Sequence, residues 1–269
     1  MCHISWEHVY LFNYFSRTTF FAWSARFFLL VAKQIALCYN VSMNEMVKQV
    51  DEIISRIDFG AIWPGFGLRE FVLAQNLPED TERLAAYSVR GMFRDYQREQ
   101  GDTRFPDNAA LLTYPQDLDN YRLKMAENHY LVKAITDNSL MDLQQFVVLR
   151  EARRRIVGAA LAQEQRAETA EGLAEYAGLS ALNQLSRVKF MEEMQRHLAT
   201  LRNPRDLFDM RRVSHSVGCL ICFALKSLNI DFYHDLSDSR TIYEFIPHLP
   251  NEIDTIFNET VKNGIYSKN

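Results

Sequence analysis

The chain has 269 residues, of which 48% are hydrophobic and 24% are charged, which is the composition of an ordinary globular protein. Its formal net charge of -4 provides no overall attraction to nucleic acids or to anionic membranes, so we expect no nucleic-acid partner. The length is sufficient for one large domain or for two small ones.

Residues 1–42 differ in composition from the rest of the chain, because they hold 11 of its 33 aromatic residues and only one acidic residue. Their apolar runs are interrupted at Arg17, Arg26 and Lys33, whereas a membrane span needs about 20 predominantly apolar residues. Three interpretations are open: an aromatic helix packed on the domain, a helix lying in a membrane interface, or an extension upstream of the natural start. We favour the last, and expect a single domain over residues 43–269.

From residue 43 onward the apolar spacing is mainly that of α-helices. Val47, Val50 and Ile54 follow the spacing of one buried helix face, and a proline and two glycines within 62–68 predict the end of that helix. Further helices are predicted over 81–98, 121–182, 183–201, 206–228, 238–245 and 251–261, with Ser139 as an N-cap and with local breaks at Gly158 and Gly178. Short extended segments at 70–75 and 109–114 predict at most a small edge sheet, so the expected fold class is mainly α, with α+β as the alternative.

Two segments of the chain carry recognisable chemical patterns. The segment 171–176 reads EGLAEY, and the segment 89–97 reads VRGMFRDYQ. The first has the form E-G-x-A-x-Y, and the second keeps the valine, phenylalanine and glutamine of the form V-H-E-x-F-H-x-x-Q. A third segment, 215–225, has Gly218 three residues after His215 and continues with mostly apolar residues. It is similar to the form Y-x-x-G followed by apolar residues, with His215 in place of the tyrosine.

Together these segments resemble the glutamate-zinc peptidases, or gluzincins, and more narrowly a group of bacterial HExxH proteins. In that family two histidines one helical turn apart and a later glutamate bind zinc, and the glutamate beside the first histidine is the general base. The resemblance covers roughly residues 43–230 and implies a metallopeptidase-like helical domain in a bacterial protein.

The resemblance also implies that the zinc chemistry is lost. Arg90 and Arg94 stand at the positions of the two histidines, Gly91 at the position of the general base, and Glu171 at the position of the third ligand. A guanidinium group has no lone pair to give to a metal at working pH, and glycine cannot accept a proton. His215 replaces a tyrosine that could stabilise an oxyanion. We therefore expect no cofactor and a catalytically inactive binding or regulatory module, in which an arginine pairs with Glu171.

Two other functions are consistent with the sequence. The first is an active zinc-dependent hydrolase whose metal is bound by an atypical set of residues such as Glu168, Glu171 and His215. The second is a helical interaction protein that associates with membranes through residues 1–42. The expected ligand of an inactive module is a peptide or protein in the former active-site cleft, and the expected location is the cytoplasm, with peripheral membrane association as the alternative.

Several candidate residues also have ordinary structural explanations. Glu168, Glu171 and Glu175 recur at helical spacing and could form a solvated helix face. The same interpretation is favoured for the basic patch, which consists of Arg150, Arg153, Arg154 and Arg155. Cys219 and Cys222 lie in an apolar run, which predicts buried thiols rather than a zinc or redox site.

Overall fold

The computed structural model describes residues 45–70, 80–203, 207 and 209–247, and within these residues it is α-helical with no strand. The predicted mainly α fold class is confirmed. The chain divides into two compact units, Met1–Gln49 and Val50–Asn269. The aromatic extension at 1–42, most of the predicted extended segment 70–75 and the predicted helix 251–261 lie outside the described residues.

Eight α-helices and one 3-10 helix follow one another in the described residues. The first, α1, covers 45–54. The others are α2 (Thr81–Glu99), α3 (Asn108–Leu112), α4 (Leu118–Thr136), α5 (Leu140–Val157), α6 (Ala160–Leu185), α7 (Arg187–Arg202), α8 (Met210–Ser227) and the 3-10 helix Ile242–Phe245.

Most of these helices begin at a side chain that accepts hydrogen bonds from the first turn. Asp80 accepts from two backbone amides of α2, and Ser139 and Ser186 do the same, with one amide each, for α5 and α7. Such caps satisfy amides that have no partner inside the helix. Gly158, at φ 56°, ends α5 as predicted, because glycine adopts positive φ without steric cost.

Helix α6 is the centre of the fold and packs against α2, α7 and α8, while α4 pairs with α5. Its residues Leu173, Ala174, Tyr176 and Ala177 are completely buried. Burial of apolar surface on this scale is the main driving force for folding. Helices α2 and α8 both pack against α6. The positions of all three predicted chemical segments are therefore fixed by α6.

The contact between α6 and α8 is unusually close, because two glycines face each other. A Cβ added to Gly172 would lie 2.4 Å from the Cα of Gly218, and a Cβ added to Gly218 would lie 1.8 Å from the backbone oxygen of Glu168. No side chain fits there. The glycine of the E-G-x-A-x-Y segment therefore has a packing role, which is to let the two helices meet backbone to backbone.

Three predictions about secondary structure are wrong. The segment 109–114 is not extended, because Asp107 caps Ala109 and the good helix formers that follow complete a short helix. Gly178 does not break α6 but lies close to α2, where a Cβ would come within 2.8 Å of the backbone oxygen of Ala86. Within 238–245 only the 3-10 helix forms.

A further prediction concerns the burial of the two cysteines on α8. Cys219 and Cys222 are free and completely buried, and burial raises the pKa of both thiols, so the prediction of buried thiols is confirmed. None of the described helices combines the length and the apolarity that crossing a membrane requires.

Candidate functional site

The predicted arginines lie on one face of α2, directed at α6. The neighbouring residues Val89, Met92 and Phe93 are buried, so the apolar stripe of α2 fixes the rotation of the helix and thereby the direction of Arg90 and Arg94. A Cβ at Gly91 would have no neighbour within 4 Å.

Two glutamates on α6 receive these arginines. Arg94 forms an ion pair with Glu171, and Nη1 of Arg90 lies 2.6 Å from Oε2 of Glu175. Nη2 of Arg90 also lies 3.7 Å from Oε2 of Glu171. The predicted pairing of an arginine with Glu171 is therefore confirmed, and the interpretation of Glu171 and Glu175 as a solvated face is wrong, since their side chains are only 21% and 15% exposed.

Histidines from two other helices complete this group. Nε2 of His215, on α8, lies 3.3 Å from Oε2 of Glu171, and its Nδ1 is in contact with the guanidinium of Arg90. Nε2 of His197, on α7, lies 3.3 Å from Oε1 of Glu175. No sequence pattern marks His197, because its partners come from other helices.

We call Arg90, Arg94, Glu171, Glu175, His197 and His215 the arginine-glutamate site. Burial acts to raise the pKa of Glu175, but hydrogen bonds from His197 and His215 and the charge of Arg90 outweigh it, so the pKa lies well below its usual range. Burial lowers the pKa of His215, and Arg90 lowers it further, against the opposing effect of Glu175. His215 is therefore neutral at pH 7, and each of the two guanidinium groups pairs with a carboxylate.

Zinc does not fit the arginine-glutamate site. The groups at the two histidine positions only donate hydrogen bonds, and one of them already pairs with Glu171. In the described part of the chain, no group of three or more potential metal ligands converges at this site. The alternative set of Glu168, Glu171 and His215 does not form either, because Glu168 pairs with Arg150 in a separate cluster.

That separate cluster is buried between α4, α5 and α6. Its carboxylates are Glu127, Glu164 and Glu168, whose oxygens approach within 4.8 Å of one another. Nε of Arg150 donates to Glu127 at 3.0 Å, and Nη2 donates to Glu168 at 2.8 Å. These residues, together with Arg153 and Lys124, form what we call the buried charge cluster.

The charges within the buried charge cluster are balanced. Arg153 donates to Glu164 at 2.6 Å and to Glu127 at 2.5 Å, and Lys124 pairs with Glu164. Burial raises the pKa of Glu168 to about 7, against the opposing charge of Arg150. Even with all three carboxylates ionised, three cations face them, so the cluster has no net negative charge to attract a metal ion.

The buried charge cluster overturns two interpretations of the sequence. Arg150 and Arg153 are completely buried, and Glu168 is 1% exposed, whereas a solvated helix face was favoured for the two arginines and was one interpretation of Glu168. Arg154 and Arg155 are exposed as predicted. One sequence pattern could have indicated this burial. Glu164 and Glu168 lie one turn apart on α6, and Arg150 and Arg153 lie one turn apart on α5.

A surface cleft adjoins the arginine-glutamate site. Its volume is about 590 Å³, and Arg90 and Glu175 form part of its wall. The floor consists of Ala86, Gly178, Leu179 and Leu182, and the rim includes Arg83, Glu193 and the half-exposed Tyr87. The cleft therefore combines an apolar floor with charged groups of both signs.

No family model matches the chain, and the comparisons with curated proteins and with solved structures found no match either. The resemblance to gluzincins therefore stays a prediction that depends on the three segments and on the place of their residues.

Proposed function

We propose that the chain is a catalytically inactive, metallopeptidase-like protein that acts as a binding or regulatory module. The observation that carries this proposal is the ion pair of Arg94 with Glu171, next to that of Arg90 with Glu175. In the gluzincin alignment Arg90, Arg94 and Glu171 stand at the ligand positions, and ion pairs take the place of a metal ion there.

The proposed ligand is a peptide that lies in the adjoining cleft. Leu179 and Leu182 form an apolar floor. Arg83 and Glu193, which pair with each other at 2.8 Å, bring charges of both signs to the rim. A concave site with an apolar floor and a few polar groups is the usual form of a ligand pocket. The rim also includes the half-exposed Tyr87, a residue type that is frequent where peptides bind.

Restoring the two histidines and the glutamate of the HExxH pattern tests the relationship to gluzincins that the proposal assumes. The triple variant Arg90→His, Gly91→Glu and Arg94→His places two imidazoles one turn apart, opposite Glu171. We expect the wild-type protein to hold no tightly bound zinc and the triple variant to bind roughly one zinc per chain, measured by elemental mass spectrometry after dialysis.

The matched control adds Glu171→Ala to the triple variant and should lose that zinc. A folded triple variant without zinc affinity would contradict the gluzincin alignment. Stoichiometric zinc in the wild-type protein, lost on Glu171→Ala alone, would contradict the proposed inactivity and favour an atypical zinc hydrolase.

Filling the cleft tests peptide binding. We expect saturable binding of fluorescently labelled tryptic peptides of casein, measured by anisotropy, and at least about tenfold weaker binding for Leu179→Trp, since a larger side chain occupies the floor. Val188→Trp is the matched control, because Val188 is 69% exposed on α7 and does not line the cleft. Equal weakening by both substitutions, or no saturable binding by the wild type, would contradict the proposal.

A further inference from the structure

A second pocket lies against a different face of the C-terminal half of α6, where Ser180, Asn183 and Gln184 line it. Its volume is about 550 Å³, which is within the range of small-molecule sites. The residues that matter for its chemistry are Ser180, Arg187, Phe190, Phe223 and Lys226, and we call it the Lys226 pocket. Among the residues that the structure describes, it shares none of its lining with the cleft beside the arginine-glutamate site.

Two cations in the Lys226 pocket have unused hydrogen-bond donors. Nζ of Lys226 donates to the Tyr176 hydroxyl at 3.0 Å, and Nη1 of Arg187 donates to Asn183 at 2.9 Å. Neither has a carboxylate within ion-pair distance among the residues described here. An ammonium group has three donors and a guanidinium has five, so most of their donors are available.

The acidic residue of the pocket does not neutralise these cations. Asp58 accepts a hydrogen bond from the backbone amide of Ala61 at 3.0 Å and makes no ion pair with Lys226 or Arg187. By contrast, Arg83 and Arg90 in the cleft each pair with a carboxylate. The Lys226 pocket therefore has an excess of positive charge, although the chain as a whole is acidic.

A buried hydroxyl also lines the pocket. Ser180 is only 7% exposed, and its Oγ lies near the Tyr176 hydroxyl but has no hydrogen bond of normal geometry. A buried polar group without a partner is destabilising, and a ligand oxygen would supply that partner. The partial negative charge at the C-terminus of α8 explains why a lysine stands at position 226. It does not explain the unpaired hydroxyl of Ser180.

Aromatic rings form the apolar part of the pocket. The rings of Phe190 and Phe223 are in edge contact with centroids 5.4 Å apart, and Phe223 also packs on Tyr176 at 5.0 Å. Burial lowers the pKa of Lys226, and an anion beside its ammonium would reverse that effect.

We propose that the Lys226 pocket binds a small organic oxyanion, a carboxylate or a phosphate ester, whose apolar group packs on Phe190 and Phe223. The oxyanion accepts hydrogen bonds from Lys226, Arg187 and Ser180. This inference uses none of the residues of the proposed peptide cleft, so the failure of either proposal leaves the other intact.

Binding of benzoate and of phenyl phosphate to the full chain tests the proposal, with isothermal titration calorimetry as the measurement and inorganic phosphate as the probe without an apolar group. We expect one site per chain for benzoate, phenyl phosphate or both, and the tighter of the two identifies the class of oxyanion. Lys226→Met should weaken binding by at least about tenfold, since about 1.4 kcal/mol corresponds to a factor of ten.

Lys133→Met removes the same charge from α4 and is the matched control, because Lys133 pairs with Asp142 outside the pocket. Should Lys226→Met fail to fold, Arg187→Gln tests the same charge from α7. The absence of saturable binding by either organic probe would overturn the proposal. Equal weakening by Lys226→Met and Lys133→Met, or inorganic phosphate binding as tightly as both organic probes, would also overturn it.

Discussion

His215 lies among four charged side chains, and its protonation is therefore tied to folding. Arg90 and Arg94 on α2 and Glu171 and Glu175 on α6 are the charged groups around it. Its pKa is lowered from 6.5, so the folded state binds the proton less readily than the unfolded state does. The contribution of His215 to the free energy of unfolding is therefore fully present above about pH 6.5, and it is lost as the pH falls below that value.

We expect the free energy of unfolding to depend less steeply on pH between about 7.5 and 5.5 in His215→Gln than in the wild type, measured by urea denaturation at each pH. Burial also lowers the pKa of His234, so His234→Gln should reduce the slope separately. The double variant should then show the sum of both reductions. A slope that is unchanged in His215→Gln would show that this residue does not resist protonation in the folded state.

The residues of the site differ in how well the sequence predicts them. Arg94 and Glu171 meet as expected, because helical spacing and a family resemblance place them on facing helices. His197 was missed, since its contact with Glu175 depends on the angle between α6 and α7. Burial of Arg150 was also missed, because a local pattern of charges is the same whether its partners are water molecules or carboxylates of other helices.

At the scale of helices, the clearest prediction concerns the stability of a variant at Gly218. A Cβ there would overlap the backbone of α6, and backbone cannot move as a flexible side chain can. Gly218→Ala should therefore destabilise the fold by about 3 kcal/mol or more, as overpacking of a tight contact does at its upper range. Thermal and urea denaturation measure the change.

Gly91→Ala is the matched control on α2. Nothing lies within 4 Å of a Cβ at this position, and alanine favours helix formation over glycine by about 1 kcal/mol. This variant should be as stable as the wild type or more stable. If both variants behaved alike, the close crossing of α6 and α8 would be refuted.

Helix positions in this chain are easier to predict than helix contacts. The start of α2 follows from Asp80, and the junction of α4 and α5 follows from Ser139. Gly178 was predicted as a break because glycine is a poor helix former, but its small size serves contact with α2 instead. The three-dimensional neighbours of a glycine decide which of these two roles it has.

At the scale of the whole molecule, the buried charge cluster joins α4, α5 and α6. Replacing Arg150 with methionine leaves the carboxylates of Glu127 and Glu168 without their shared partner. Breaking a buried ion pair on one side costs about 3–5 kcal/mol, so Arg150→Met should lower the free energy of unfolding by that amount, measured by urea denaturation.

Arg154→Met on the same helix is the control for this effect. Arg154 is 42% exposed and pairs with Glu151 at 2.8 Å, and exposed pairs contribute about 0–1 kcal/mol. A similar loss for the two variants would mean that Arg150 is not enclosed with its carboxylates as the structure has it.

Glu168 and Glu171 are separated by a single turn of α6, yet the first belongs to the buried charge cluster and the second to the surface site. The backbone of Gly218 presses against the same turn. Turning α6 about its axis to reshape the arginine-glutamate site would pull Glu168 away from Arg150, so the buried charge cluster opposes that rotation. The peptide proposed for the adjoining cleft must therefore match the present shape of the site, and structures with and without it should superimpose closely.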